Sequence, residues 1–290
     1  MKMNEKCLPC LINQVVKVAN ITKATHKEEL YQKVFQYLSH IDFTKSNPEI
    51  IGMTFEILKQ HIHNDDPYKD IRYHYNHLML DHLDKLKHMI QQSSNPFEEA
   101  IKYATLGNII DFNPMHRIDM NEIMTSFGNI HQIDLTINDC HQLKDDIINA
   151  KVLLYLGDNC GEICLDKIFI EHIKKLNPHI KIYFGVRGTA VVNDSIEEDA
   201  YDVKMDEYAI IISNGDQSLG TVLSRTSQEF QNVYHQADVI ISKGQANYES
   251  LSEEKENIYF LLMVKCEVIS QYIDVPIQSM ICMKNKLCQE

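Results

Sequence analysis

The sequence predicts an α/β fold: a mostly parallel sheet reached through a helical N-terminal subdomain. Three observations carry that prediction. From Lys151 onward, short apolar runs rich in β-formers alternate with helical stretches, the pattern of parallel strands joined by right-handed crossovers. Before Lys151, β signals are nearly absent and apolar residues recur at helical spacing. The 290 residues suffice for a large core, and no Pro/Gly/Ser-rich linker divides them. Residues 1–127 are read as the helical subdomain and residues 128–290 as the α/β part, within one compact unit.

In chain order, Cys7-Leu-Pro-Cys10 opens a helix with apolar positions at Leu11, Val15, Val18 and Ala19. Residues 28–40 repeat the pattern with Leu30, Val34, Phe35 and Leu38. Asn47-Pro48 starts a third helix, proline in its first turn, running through Ile57 and Leu58 toward His63. Asp66-Pro67-Tyr68 starts a fourth, long and polar, ending near Gln92; Asn95-Pro96-Phe97 starts a fifth. Residues 106–112 are less regular and lead toward the sheet, and 121–127 and 139–150 are short helices. Strands are expected at 152–156, 180–186, 208–213, 239–242 and 258–263.

Composition narrows the function. Hydrophobic residues at 44% and charged residues at 24% are ordinary for a soluble globular protein. No run is long enough to span a membrane, and residues 1–20 lack a signal-peptide layout, so a cytoplasmic protein is expected. A formal charge of −13 argues against a nucleic-acid partner, because no basic patch is available to neutralise phosphates. An acidic protein handling an anionic substrate needs a local positive centre, and a bound cation is the simplest one. Eight cysteines without an export signal read as reduced thiols. Cys7 and Cys10 have the spacing of half a zinc site or a redox pair, but no second Cys-x-x-Cys accompanies them. His74, His77 and His82 fall on helical segments without an acidic or strand-edge context and read as solvated.

Four strand ends carry polar clusters that a doubly wound sheet would bring to one edge. They are Gly157-Asp158-Asn159-Cys160-Gly161-Glu162, Arg187-Gly188-Thr189 leading to Asn193-Asp194-Ser195, Ser213-Asn214-Gly215-Asp216, and Ser242-Lys243-Gly244-Gln245. Asp158, Asn159 and Asp194 offer hard oxygen ligands that suit Mg²⁺ or Mn²⁺. The same residues could cap the helices that follow, and spacing alone leaves both readings open. Lys243 could neutralise a phosphate, with Gly244 admitting close backbone approach; a solvated strand-end lysine is the plain alternative. Asn214 and Gly215 read equally as phosphate donors or as turn formers. No Walker-type loop and no Gly-x-Gly-x-x-Gly after the first strand appear, and no aspartate stands two places after Asp158.

Taken together, these clusters resemble the metal-dependent damage-control phosphatases, in the branch with an N-terminal Cys-x-x-Cys. The resemblance rests on Cys7-Leu-Pro-Cys10, Asp66-Pro67-Tyr68-Lys69, Gly107-Asn108-Ile109-Ile110-Asp111 and Asp158-Asn159-Cys160-Gly161-Glu162. It continues through Asn193-Asp194-Ser195 with Asp199-Ala200, Asn214-Gly215, Lys243-Gly244-Gln245 and Lys265-Cys266, and so spans nearly the whole chain. It implies a Rossmann-like three-layer α/β/α sandwich and one divalent metal (Mn²⁺, Co²⁺, Ni²⁺ or Mg²⁺) on Asp158, Asn159 and Asp194. It also implies hydrolysis of small phosphorylated metabolites, and it favours the ligand reading over the cap. Two stretches depart from the pattern: Arg187-Gly188-Thr189-Ala190, where a proline is expected, and Gln245-Ala246-Asn247, with alanine where glycine is common.

The expected mechanism places Asp158 and Lys243 at the reaction centre. Lys243 and backbone N–H groups near Asn214 and Gly244 would hold phosphate oxygens; water, or Asp158 itself, would attack. Two rivals differ in class: an S-adenosylmethionine-dependent methyltransferase using residues 157–161 as a cofactor loop, and a non-enzymatic metal or redox module built on Cys7 and Cys10.

Overall fold

The structure is a computed structural model that describes residues 1–107 and 120–289. Helices come first: α1 (Leu8–Ile21), α2 (Lys27–Leu38), α3 (Asn47–Ile62), α4 (Lys69–Leu80), α5 (Leu83–Gln91), α6 (Pro96–Gly107) and α7 (Met120–Gly128). Strands then alternate with helices: β1 (Ile137–Asn138), α8 (Cys140–Asn149), β2 (Val152–Leu156), α9 (Glu162–Leu176), β3 (Lys181–Val186), α10 (Glu197–Asp202) and β4 (Ile210–Ser213). The chain ends with α11 (Gln228–Gln236), β5 (Val239–Lys243), α12 (Gly244–Leu251), β6 (Ile258–Met263), α13 (Glu267–Ile273) and β7 (Met280–Lys284).

Among the described residues the strands form one sheet, ordered β1-β7-β6-β5-β2-β3-β4 and parallel except between β6 and β7. Strand β2 shows why its sequence is an unbroken apolar run. Leu153 and Tyr155 enter one core and Leu154 and Leu156 the other, so both faces of the strand are buried. Each buried leucine contributes about 1.5–3 kcal/mol. The first core is closed by α4, α5, α6, α8 and α9, the second by α11, α12 and α13. The result is a three-layer α/β/α sandwich, as the family resemblance implies, around the mostly parallel sheet that the alternation predicts.

Helices α1, α2 and α3 hold a smaller core of their own, built from Val15, Val18, Leu30, Val34, Phe55 and Leu58, with Val191 reaching in from the sheet side. Helix α3 begins at a capping box: the Ser46 N–H donates to Glu49 Oε2 at 2.9 Å, and proline occupies the first turn.

Two features differ from the expected elements. The long polar fourth helix is two helices, α4 and α5, separated at Asp81-His82, where His82 Nδ1 bonds the Leu78 carbonyl at 2.9 Å. Strands β1 and β7 were not anticipated; β1 is two residues long, and β7 returns antiparallel along β6. The family-like segment at residues 108–111 lies outside the described residues.

Candidate metal centre

The sheet changes direction beside β2: β3 and β4 are added on one side, β5 to β7 and then β1 on the other. A crevice opens at the carboxyl edge of such a switch point. Gly157 N–H continues the ladder, donating to the Gly185 carbonyl at 3.0 Å. The chain then pairs with the segment that follows β3. Ser195 N–H donates to the Asp158 carbonyl at 2.8 Å, Cys160 N–H to the Asn193 carbonyl at 2.9 Å, and Asn159 and Asp194 form an antiparallel bridge.

This pairing brings Asp158, Asn159 and Asp194 into the wall of one cleft of about 470 Å³. None of the three caps a helix. The N-cap of α9 is Gly161, whose N–H donates to Asn76 Oδ1 at 2.7 Å, and that of α10 is Ile196. Asn159 Nδ2 donates to Asp158 Oδ2 at 2.8 Å and to Glu162 Oε2 at 3.2 Å, which leaves Oδ1 as the ligand end of the amide.

Arg187 organises the two aspartates; from sequence it is a member of a strand-end cluster and of a stretch that departs from the family pattern, with no role assigned to it. Buried at the end of β3, its Nε donates to Asp194 Oδ2 at 2.6 Å and its Nη2 faces Asp158 Oδ1 at 3.5 Å. Its Nη1 reaches Thr221 Oγ1 at 3.3 Å and Asn247 Oδ1 at 3.2 Å. One guanidinium does not offset the local negative charge. Burial, then Asp194 and Glu162, push the Asp158 carboxyl well above the usual carboxylate range, with Arg187 opposing. Asp194 is raised too, by burial against the same arginine. Two buried carboxylates and an amide oxygen, short of positive charge, form a donor set that fits a hard divalent cation. Among the described residues no three His, Cys, Asp or Glu side chains gather as a ligand group, so the amide is needed as third donor.

Gly244 packs directly against Asp158. Its φ is +78°, and a Cβ there would lie 1.9 Å from Asp158 Oδ2. Only glycine lets α12 start this close to the carboxylate.

The family model of the damage-control phosphatase ARMT1-like domain matches residues 3–281. The chain belongs to the ARMT1-like damage-control phosphatase family. It is 32% identical to the uncharacterized protein MJ0202 of Methanocaldococcus jannaschii, over 98% of this chain and 95% of that protein. It is 29% identical to the damage-control phosphatase PH1575 of Pyrococcus horikoshii, over 99% of both. A damage-control phosphatase of Archaeoglobus fulgidus is 28% identical over 97% of this chain and 98% of its own. The crystal structure of PH1575, a DUF89 family protein, superposes with a TM-score of 0.89 at 27% identity, covering 99% of this chain and 100% of that one.

In this ARMT1-like domain, three expected phosphate contacts lie away from the cleft. Lys243 is fully buried beneath the cleft, its ammonium donating to Glu162 Oε1 at 2.5 Å, Asp166 Oδ1 at 2.5 Å and the Ala104 carbonyl at 2.8 Å. An ammonium has three donors, and all are used. Asn214 braces a turn, its Oδ1 accepting from the Asp216 N–H at 2.9 Å, and Gly215 turns at φ +75° against Ser227. Neither lines the cleft, because β4 is the edge strand, two places from the switch point. The loop after β4 still contributes: Gly220 N–H bonds Asp194, and Thr221 bonds Arg187.

Lys265, two residues beyond β6, is exposed in the cleft wall, and its charge pulls the Asp158 carboxyl downward. Lys6 also lines the cleft but pairs with Glu267 at 3.0 Å. Free thiols from distant parts of the chain, Cys7, Cys10 and Cys266, stand at the same mouth. Burial and then Glu249 push the Cys7 thiol up to about 11, which disfavours its thiolate.

Proposed function

We propose that this chain is a metal-dependent phosphatase acting on small phosphomonoesters. Asp158, Asn159 and Asp194 would hold one divalent cation, Mn²⁺, Co²⁺, Ni²⁺ or Mg²⁺. The observation that carries this reading is the Asn159–Asp194 bridge, which joins two strand-end segments into one oxygen-donor set at the switch point. The reaction class follows from the family and from two relatives named damage-control phosphatase. A cleft of about 470 Å³ suits a small metabolite.

When bound, a divalent cation supplies Lewis-acid polarisation of a phosphoryl oxygen. Arg187 holds the two carboxylates apart and in place, and Gly244 fixes the depth of Asp158. Lys265, rather than Lys243, is the cation positioned to meet a phosphate oxygen from the cleft side. Both Asp158 oxygens already have partners, Oδ1 facing Arg187 and Oδ2 accepting from Asn159. That suits a ligand better than a covalent nucleophile, so water is the attacking group.

The test is a panel of phosphorylated metabolites assayed with each of the four ions. Hydrolysis should require an added divalent cation and vanish in Asp158→Ala, with circular dichroism unchanged. Activity retained in Asp158→Ala would remove the site assignment.

A further inference from the structure

Beneath the three oxygen donors lies a buried chain of charges whose members do not line the cleft. Lys243, Glu162 and Asp166 are each fully buried. Lys243 Nζ donates to Glu162 Oε1 and to Asp166 Oδ1, both at 2.5 Å, and Tyr155 Oη donates to the same Asp166 oxygen at 2.7 Å. The other oxygen of Glu162 accepts from Asn159 Nδ2 at 3.2 Å. A continuous path therefore runs from the end of β5 through the first turn of α9 to the amide.

The amide needs such a path. Its two ends are nearly the same size, yet only the oxygen can serve a cation; reversed, it would present two N–H donors to a positive charge. Asp158 Oδ2 and Glu162 Oε2 both face the nitrogen end and only accept hydrogen bonds when ionised. A reversed amide would set its carbonyl oxygen against both of them. Glu162 is pinned from below by the Lys243 ammonium, whose three donors are all in use.

We propose that Glu162 and Lys243 are positioning residues: the lysine fixes the glutamate, and the glutamate holds Asn159 nitrogen inward and oxygen outward. This rests on the metal-site reading above. It gives Lys243 a role at the site without contact with phosphate, in the way that outer hydrogen bonds orient metal ligands.

Glu162→Gln isolates the effect. The Lys243 ammonium demands an acceptor, so the new Oε1 turns to it and Nε2 faces Asn159. Two amide nitrogens then oppose each other, and the strain is relieved by reversal of Asn159. Mn²⁺ affinity, read by calorimetry and by the metal-induced rise in Tm, should fall about 10–100-fold. The metal-free Tm should hold or rise, because one buried anion is gone. The double variant Asn159→Asp/Glu162→Gln restores the pairing with residue 162, since an aspartate oxygen accepts from the new Nε2, at the cost of the hydrogen bond to Asp158 Oδ2; Mn²⁺ binding should recover relative to Glu162→Gln. Should Glu162→Gln fail to fold, the double variant, which keeps the total charge, is compared directly with the wild type.

The idea is overturned if Glu162→Gln binds Mn²⁺ as the wild type does, or if the double variant binds no better than Glu162→Gln. Wild-type protein and Asp158→Ala are run alongside. Loss of Mn²⁺ binding in Asp158→Ala with full binding in Glu162→Gln removes only the positioning role. A wild type that does not bind Mn²⁺ removes the metal site and this role together.

Discussion

Substitution of Gly244 by alanine separates the cost of a strained backbone from the cost of a displaced ligand. At φ +78° an L-residue loses about 1–2 kcal/mol relative to glycine. The added methyl also stands 1.9 Å from Asp158 Oδ2, where ordinary contact begins near 3.4 Å, so the carboxylate must retreat by the difference, about 1.5 Å. Misplacement of a reacting group by about 1 Å costs on the order of 100-fold in rate. Gly215→Ala is the matched control. It carries nearly the same strain, φ +75°, but its nearest neighbour is Ser227 Cβ at 3.0 Å, away from the cleft. Both variants should lose about 2–5 °C in Tm by differential scanning calorimetry. Only Gly244→Ala should lose at least about 100-fold in metal-dependent kcat/KM, with Gly215→Ala staying within about twofold. Equal activity losses in the two variants, or none in Gly244→Ala, would refute the argument that Gly244 sets the position of Asp158.

Lys243→Met should be among the most destabilising single changes in the chain, about 3–5 kcal/mol by urea denaturation, because it strands Glu162 and Asp166 without a counter-charge; a loss below 1 kcal/mol would contradict the buried triad. Asp158 and Asp194 are raised in the fold, so the metal-free protein binds more protons than the unfolded chain above the ordinary carboxylate pKa. Its stability should therefore fall as pH rises through the window between the unfolded and raised folded values. Thermal unfolding in chelator across pH 5 to 8 should show that decline, and Asp158→Asn should flatten it. If water is the attacking group, fast acid quench during turnover should trap no phosphate on Asp158; a phosphoaspartate at that position would reverse the assignment.

The sequence places Asp158, Asn159 and Asp194 at strand ends and misdirects one cation, for a single physical reason. Asp158, Asn159 and Asp194 follow strand ends, and strand ends at a switch point meet whatever the rest of the sheet does. The direction of a side chain on a strand depends instead on parity. Val239, Ile241 and Lys243 share one face of β5, and the first two lie in the core covered by α6 and α9. Lys243 points the same way, downward to Ala104 and Glu162, so the alternation in the sequence already carried the signal that it does not face the cleft. Arg187 had no such signal, because its partners come from three segments: the loop after β3, the loop after β4 and helix α12. Strand β7 was hidden for a related reason: its pairing with β6 and β1 is settled by contacts across the chain rather than by local pattern.

The small core of α1, α2 and α3 has a kinetic consequence. Those helices carry Cys10, Gln14 and Asn47 into the cleft, while the oxygen donors hang from β2 and β3 in the middle of the sheet. Segments with separate cores open as separate cooperative units, and central strands open last. Amide exchange in α1 and α2 should therefore outpace exchange in β2 and β5 by orders of magnitude. On that expectation one wall of the cleft would loosen before the other, and the oxygen donors on β2 and β3 would keep their places.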